Sequence, residues 1–390
     1  MLDENLIAEA SRQFTICNAC RYCEGICSVF PAMELRTAFE GGDITYLSTL
    51  CHDCRACVHA CPFSPPHELA VDIPSLMATA RAQTFEHYAR PRAFWRLLTR
   101  PRSAWALAAI GIAFFALVAA ATGDPARIVH SHDEQGSFYK VIAYLWLVVP
   151  GGIVSVLVAA AILAGGYRFA QETQGGPRRL LSAKAHGQAA LDTLGLRNLR
   201  GGGGACYYPG DTASSMRRYL HHLVFYGFGA MFAATVAAAF EQELLGILPP
   251  YPLASVPVVL GTLGGLATLT GCLGFLVLGV RRRDARKTDQ ARQLDRVFTA
   301  MLAGSVITGL LTLALRATPL MGPMLILHLG VLGGLYLTFP YSKFVHWVYR
   351  YTALVRSHVE LEPRERFVHG EPAPPAFALT SLIDAENLDG

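Results

Sequence analysis

Six long apolar stretches, separated by polar segments, occupy the last three-quarters of this chain. Each is near or above the roughly 20 residues that an α-helix needs to cross a bilayer. Most of them contain no charged residue, and six such runs are not expected among the buried helices of a soluble protein. The pattern therefore predicts six transmembrane helices, at 104–122, 141–167, 219–240, 256–280, 297–315 and 321–345.

The first hundred residues are polar to mixed, and their apolar positions recur at helical intervals. The segments 6–14 and 72–89 repeat apolar residues every three to four positions, which indicates helices rather than strands. The segment 31–50 is predicted as two helices with a break at its Gly-Gly pair. We therefore expect a mainly α protein, in which a small ferredoxin-like helical domain precedes a six-helix transmembrane bundle.

This change of pattern predicts three parts in the chain. They are an N-terminal domain at 1–100, a transmembrane domain at 101–350 and a C-terminal tail at 351–390. A Gly-rich segment at about 168–217 is predicted as a long loop of the transmembrane domain, flexible or sharply turned around its four consecutive glycines. Beyond about Arg356 the tail is expected to be weakly ordered.

Lysine and arginine concentrate in alternate connections between the apolar stretches. They are frequent before the first stretch, between the second and third, and between the fourth and fifth, and they are sparse elsewhere. By the positive-inside rule this alternation places both termini, and the N-terminal domain, on the cytoplasmic side. The first residues show no basic, apolar and cleavage-site pattern of a secretory signal. Nucleic-acid binding by the basic loops is not expected, because apolar spans flank them.

Composition supports the membrane assignment. The chain is 52% hydrophobic and only 16% charged, whereas soluble proteins carry about 25% charged residues. The formal net charge of +4 adds little to this picture.

Eight of the ten cysteines lie within 45 residues, in two copies of the spacing C-x2-C-x2-C-x3-C. The first copy lacks the proline that directly follows the last cysteine of the second. This is the spacing of bacterial ferredoxins with two 4Fe–4S clusters, and clustering of this kind indicates metal binding rather than disulfides. The candidate cluster ligands are Cys17, Cys20, Cys23 and Cys27 in the first copy and Cys51, Cys54, Cys57 and Cys61 in the second.

Each cubane cluster needs four thiolates, and three closely spaced cysteines reach only three of its corners. The fourth is expected from the other copy, so that Cys61 completes the first set and Cys27 completes the second. Zinc is the competing interpretation, because C-x2-C pairs also bind zinc. Zinc has no use for the third and fourth cysteines at this spacing, and iron–sulfur is preferred. The two remaining cysteines, Cys206 and Cys272, stand alone.

Histidines at the ends of the apolar stretches are candidate haem ligands, because histidine within a membrane is costly and often functional. His221 and His222 begin the third stretch, and His346 ends the sixth, so all three are predicted at the inner face. His346 with either His221 or His222 supplies ligands from two helices at one depth. Histidines that contact lipid headgroups are the alternative interpretation.

His328 lies near the opposite face, about 27 Å from His346 along a helix. It is left with three interpretations: a ligand of a second haem with His130 or His132 as partner, a quinone contact, or simple packing.

The two cysteine motifs, "GGGGACYYP", "RRYLHHLVFYGF" and "FPYSKFVHWVYR", in this order, resemble the tricarballylate-utilisation membrane proteins TcuB, also known as CitB. The resemblance covers nearly the whole chain. It implies two 4Fe–4S clusters on the eight cysteines, one or two b-type haems with His221, His222, His328 and His346 as candidate ligands, and a bacterial inner membrane location.

The resemblance also implies a function. A cytoplasmic FAD-dependent dehydrogenase of the tricarballylate type would dock on the cluster domain, and electrons would pass through clusters and haem to the membrane quinone. No catalytic residue is expected on this chain, no nucleic acid is expected as a partner, and homo-oligomerisation stays open. The alternative is a redox-sensing accessory subunit of a tricarboxylate transporter, for which the Gly-rich fourth stretch would be a helix break.

Overall fold

The computed structural model of the chain describes residues 2–27, 29–122, 125–130, 134–174, 181–200, 206–207, 210, 212–281 and 289–368. These residues are mainly helical, as the sequence predicts. Within the same ranges extended backbone pairs at one isolated bridge, between Cys206 and Ser214.

Five helices build the N-terminal domain, and two of them confirm the helices predicted at 6–14 and 72–89. Asp3 caps the first of these by accepting a 2.8 Å hydrogen bond from the amide of Asn5, and Asp72 caps the other by accepting from the amide of Ser75. The helix after the Gly-Gly pair starts at Gly41, so the pair forms its first turn instead of a break. The five helices are α1 Glu4–Cys20, α2 Val29–Met33, α3 Gly41–Leu50, α4 Ala56–Ala60 and α5 Ile73–Tyr88.

Six helices are long and apolar enough to cross a membrane, and each overlaps one of the predicted spans. The chain is therefore a multi-pass membrane protein. With the short connecting helices, the chain continues as α6 Trp95–Leu98, α7 Pro101–Thr122, α8 Pro125–Ile128, α9 Ser137–Val141, α10 Tyr144–Gln174, α11 Ala183–Gly195, α12 Met216–Leu245, α13 Val256–Arg281, α14 Asp289–Ala314, α15 Met321–Thr338 and α16 His346–Val368.

Glycines allow the membrane helices to pack backbone against backbone. A Cβ atom at Gly227 of α12 would lie 2.6 Å from the carbonyl oxygen of Gly264 in α13, which no side chain tolerates. Likewise, a Cβ atom at Gly330 of α15 would lie 2.4 Å from the amide nitrogen of Ile112 in α7. Small residues at such crossings are typical of helix association in lipid. The glycines of α13 thus serve packing, and α13 is one unbroken helix.

The N-terminal domain packs on one end of the bundle, where α16 and α11 also lie. Tyr88 of α5 donates a 3.0 Å hydrogen bond to Glu172 at the end of α10. His186 of α11 bonds to Tyr351 of α16 at 2.9 Å. The predicted loop at 168–217 therefore contains a helix that packs, although its four glycines lie outside the described residues.

The expectation of a weakly ordered tail beyond about Arg356 is wrong as far as Val368, because α16 continues to that residue. Ala353, Leu354 and Val355 on α16 are buried in the same core as α3. The polar composition of this segment hides a helix whose buried face includes two paired charges. Residues 369–390 lie outside the described part of the chain.

Those charges clamp α16 to the N-terminal domain. Arg356 pairs with Glu360 at 2.7 Å, and Glu360 pairs with Arg36 at 3.0 Å. Asp43 accepts from Arg36 at 2.6 Å, and the Arg356 guanidinium lies 4.0 Å from the ring centroid of Tyr46. Both arginine side chains are over 90% buried, so the network fixes α16 beside α3.

Candidate metal centre

The eight motif cysteines converge on one region of the N-terminal domain. Seven of them line a single cavity, with Phe14, Phe30 and Val71 among its apolar walls. The eighth, Cys20, lies on an adjoining pocket together with three of the seven. All eight thiols are free, so the region offers eight sulfur donors and no competing disulfide.

The thiols fall into two sets of four. We name them the Cys20 set, which is Cys17, Cys20, Cys23 and Cys61, and the Cys54 set, which is Cys27, Cys51, Cys54 and Cys57. In the first set, the electrostatic neighbours of Cys17 include Cys61, Cys23 and Cys20. In the second, the neighbours of Cys57 include Cys27, Cys51 and Cys54. Each set thus takes three thiols from one motif and one from the other.

A repeated backbone turn places the cysteines of each motif. Arg21 follows Cys20 in the left-handed conformation, with φ of 56°, and its amide donates to the Cys17 carbonyl. Arg55 follows Cys54 in the same conformation, with φ of 65°. A left-handed residue reverses the chain directly after the second cysteine, so the third cysteine of each motif returns to the same cavity wall.

Burial favours the protonated form of Cys17 and of Cys54. It raises the pKa of Cys17 to about 12 and that of Cys54 to about 12, and neighbouring thiols add to both shifts. Among the described residues, no three His, Cys, Asp or Glu side chains converge closely enough to hold a single ion. Zinc needs four ligands about 2.0–2.3 Å from one point, whereas a cubane holds its thiolates at four separate corners. The donor set therefore fits two 4Fe–4S clusters better than zinc.

A segment far along the chain covers the Cys54 set. Cys206 is 1% exposed and packs against Cys54 and Ala56. The amide of Tyr207 donates a 2.8 Å hydrogen bond to the Cys54 carbonyl, and the Tyr207 ring stacks on His59 with centroids 4.2 Å apart. Cys206 stands alone in the sequence, because spacing along the chain carries no information about this contact.

Three arginines from separate elements hold the loop that begins the second motif. Arg350 of α16 donates to the Cys51 carbonyl at 2.9 Å, and Arg81 of α5 donates to the same oxygen. Arg217 of α12 donates to the carbonyls of His52 and Asp53, both at 2.8 Å. In the sequence these arginines belong to no motif, and at most they add to the basic charge that indicates membrane orientation.

Two of these helices, α12 and α16, also bring a pair of histidines together, one helical turn from Arg217 and Arg350. His221 is four residues after Arg217 on α12, and His346 is four residues before Arg350 on α16. Their ring centroids are 6.2 Å apart and their planes meet at 73°. This separation brings two imidazoles from different helices close enough to be considered as ligands of one group.

The nitrogen atoms of this pair also suit metal ligation. Nδ1 of His346 bonds to the Lys343 carbonyl, an arrangement that leaves Nε2 as the lone-pair atom and is usual for metal-bound histidine. Nδ1 of His221 is buried and has no hydrogen-bond partner among the described residues. Burial and the Arg350 cation hold the pKa of His346 well below its usual range, so this ring is neutral and able to bind a metal.

The other candidate histidines lie elsewhere. His222 points away from His346 and stacks on Tyr226 of its own helix, with centroids 5.9 Å apart. His328 packs over Gly309 of α14, and its Nδ1 lies 3.1 Å from the Thr308 hydroxyl. Its ring therefore contacts α14 instead of facing a second histidine. His130 is exposed, and His132 lies outside the described residues.

Comparison with known proteins places these sites within two recognised regions. A family model described as citrate utilization protein B Fer4-like domain matches residues 10–87, and one described as citrate utilization protein B matches residues 96–367. The chain is 41% identical over 356 residues to citrate utilization protein B of Escherichia coli, which covers 90% of this chain and 92% of that protein. No solved structure matches significantly. The Fer4-like match contains all eight motif cysteines, and together they indicate an iron–sulfur domain.

Proposed function

The chain belongs to the citrate utilization protein B family, and on that premise we propose that it is a membrane-bound electron-transfer protein. It passes electrons from a reduced FAD-dependent dehydrogenase of the tricarballylate type, through two 4Fe–4S clusters and b-type haem, to the membrane quinone. The dehydrogenase docks on the N-terminal domain. That domain and both termini lie on the cytoplasmic side of a bacterial inner membrane, as the distribution of basic residues favours.

One observation carries this proposal: the cysteine cavity and the histidine pair are joined through the same two helices. Arg217 and His221 share α12, and Arg350 and His346 share α16, with one helical turn between the members of each pair. The cysteine cavity and the histidine pair therefore adjoin at one end of the bundle, which supports a path from clusters to haem. An iron–sulfur domain with a storage or sensing role has no need of this arrangement.

The residues of the chain have distinct roles in this scheme. When bound, clusters and haem supply one-electron carriers that split the electron pair of a reduced flavin. The Cys20 set would hold one cluster, the Cys54 set would hold the other beneath the segment at Cys206, and His221 and His346 would hold a haem. The arginines fix the distance between the second cysteine motif and the histidines.

Purification of the full chain in detergent, followed by assays of iron, acid-labile sulfide and haem, tests the proposal. We expect b-type bands in the reduced-minus-oxidised spectrum and reduction of the haem when a reduced flavoprotein partner is added. Zinc in place of iron, or a haem that stays oxidised in the presence of that partner, would contradict the proposal.

The axial pair has its own prediction. His346→Ala is expected to remove most of the haem while non-haem iron and acid-labile sulfide remain, because the clusters use cysteine alone. His222→Ala is the matched control, since its ring stacks on Tyr226 and faces no second histidine. Equal haem content in both variants and the unaltered protein would disprove the pairing of His221 with His346.

A transporter-associated role receives no support from a particular observation. The Gly-rich fourth span is an unbroken helix whose glycines pack against α12, whereas transporters use discontinuous helices at their binding sites. Uptake of labelled citrate or tricarballylate into vesicles that contain this chain alone would revive that alternative.

A further inference from the structure

The two cysteine sets differ most in the charges around them. The loop of the second motif is surrounded by buried and partly buried cations. Arg55 is 4% exposed and lines the cavity, and the partly buried Arg81, Arg217 and Arg350 bond to the carbonyls of residues 48–53. The buried anion among them is Asp53, which is 5% exposed.

The corresponding part of the first motif lacks this surrounding charge. Arg21, which takes the position of Arg55, has a side chain 54% exposed and lies 3.5 Å from Glu34. Cys20 and Tyr22 are also exposed, and Tyr22 is 68% exposed. Water screens the exposed Arg21 guanidinium, so this cation affects a nearby cluster only weakly.

Charge bears directly on the reduction potential of a cluster. Reduction adds one negative charge, and net charge and hydrogen bonding around a cluster are among the factors that set its potential. Burial alone disfavours the added charge, but it also lengthens the reach of each neighbouring cation, because a low dielectric weakens screening. Among the described residues, three partly buried arginines with one buried carboxylate nearby leave an excess of positive charge at the second motif even before Arg55 is counted.

We propose that Arg81, Arg217 and Arg350 are positioning residues that raise the reduction potential of a cluster on the Cys54 set above that of a cluster on the Cys20 set. Electrons then enter at the exposed Cys20 set and leave from the Cys54 set toward His221 and His346. This inference rests on the proposed function, which it refines by assigning a direction to the two clusters.

Potentiometric titration of the full chain in detergent, followed by electron paramagnetic resonance, tests the order. Cys20→Ser and Cys54→Ser each alter the signal of one cluster, and so assign the two signals. In the unaltered protein, the cluster with the Cys54-set signal is expected to have the higher reduction potential. The electron should prefer this cluster by about tenfold or more, which is 59 mV for a one-electron couple. A higher potential at the Cys20 set, or equal potentials, overturns the proposal.

Variants separate charge from packing. Arg350→Gln is expected to reduce the preference of the electron for the Cys54 set by about tenfold, equal to 59 mV, without moving the Cys20-set signal. Arg350→Lys keeps the charge and restores most of the preference, and Arg21→Gln on the exposed motif is the matched control. Equal losses in the Gln and Lys variants would show that the role is structural and would overturn the proposal.

If Arg350→Gln fails to assemble clusters, Arg217→Gln takes its place, and the order in the unaltered protein still decides the question. The two proposals fail differently. Absence of iron or haem would contradict the proposed function, whereas two clusters with the reverse order of potentials would contradict only this inference.

Discussion

Cys20 and Cys54 occupy equivalent positions in two copies of one motif, yet one is exposed and the other is buried. Both are followed by an arginine in the left-handed conformation, although Cys20 ends a long helix and Cys54 precedes a short one. The difference comes from distant parts of the chain: the segment at Cys206 and Tyr207 covers Cys54, and no described segment covers Cys20 in this way. Local sequence thus determines the ligand geometry, and tertiary packing determines the surroundings of each ligand.

The exposed set and the buried set suit different neighbours. A partner protein can approach the Cys20 set, where Tyr22 and Leu35 are exposed apolar residues. The Cys54 set is enclosed by α12, α16 and the Cys206 segment. Arg217 and Arg350, which bond to its loop, lie one helical turn from the histidine pair. The same motif therefore serves two interfaces, one with solvent and one with the membrane helices.

The largest expected effect tests whether the sets cross between motifs. Cys61→Ala is expected to lower the non-haem iron content and to alter the same paramagnetic signal as Cys20→Ala, because both substitutions take a thiolate from one cubane. Cys27→Ala should alter the other signal, which is the one that Cys54→Ala also alters. Iron analysis and spectra of the four variants provide the measurement.

Cys272→Ala is the matched control for these variants. This cysteine is 1% exposed on α13 and belongs to neither set, so its loss should leave iron unchanged. If Cys61→Ala instead altered the signal that Cys54→Ala alters, each motif would hold its own cluster and the division into two crossed sets would be wrong.

A smaller effect is expected from the clamp that holds α16, and with it Arg350, beside the second motif. Arg356→Ala leaves Glu360 and Asp43 partly buried with Arg36 as their remaining cation in this network. Breaking such a pair costs about 3 kcal/mol, or roughly 5–10 °C in the melting temperature. Thermal unfolding followed by circular dichroism measures this change, and the Cys54-set signal should broaden more than the Cys20-set signal.

Lys184→Ala gives the comparison for the clamp, since its 3.3 Å pair with Glu362 joins α11 to α16 at a lysine that is 56% exposed. Surface pairs contribute about 0–1 kcal/mol, so little change is expected. Equal destabilisation by the two variants would mean that burial of the clamp does not matter.

Sequence alone predicts the parts of this molecule that depend on near neighbours along the chain. The six membrane spans follow from long apolar runs, and the candidate ligand cysteines follow from a short repeated spacing in which a left-handed residue, Arg21 or Arg55, comes after the second cysteine. The structure then selects His221 over His222 as the neighbour of His346, because only one of two adjacent helical residues can face a given partner.

Contacts between distant segments escape this kind of prediction. Arg217 and Arg350 are seen in sequence only as basic residues near membrane ends, yet both bond to carbonyls of the second motif. The helix α16 is missed because its buried face mixes apolar residues with paired charges, which resembles the composition of a solvated tail. Pairing of charges over more than 300 residues of chain, as between Arg36 and Glu360, has no local pattern.

The smallest effect is expected at Cys206. A substitution there tests whether the two sets differ only because the segment with Cys206 and Tyr207 covers one of them. Cys206→Ala should leave iron and sulfide unchanged, because the Cys54 set already supplies four thiolates and the Tyr207 amide still bonds to the Cys54 carbonyl. The loss of one buried sulfur should cost about 1 kcal/mol and speed bleaching of the Cys54-set cluster in air by roughly twofold, through looser packing of the cover. Loss of about half of the iron would instead make Cys206 a ligand, in which case burial of the second set would reflect coordination and not cover.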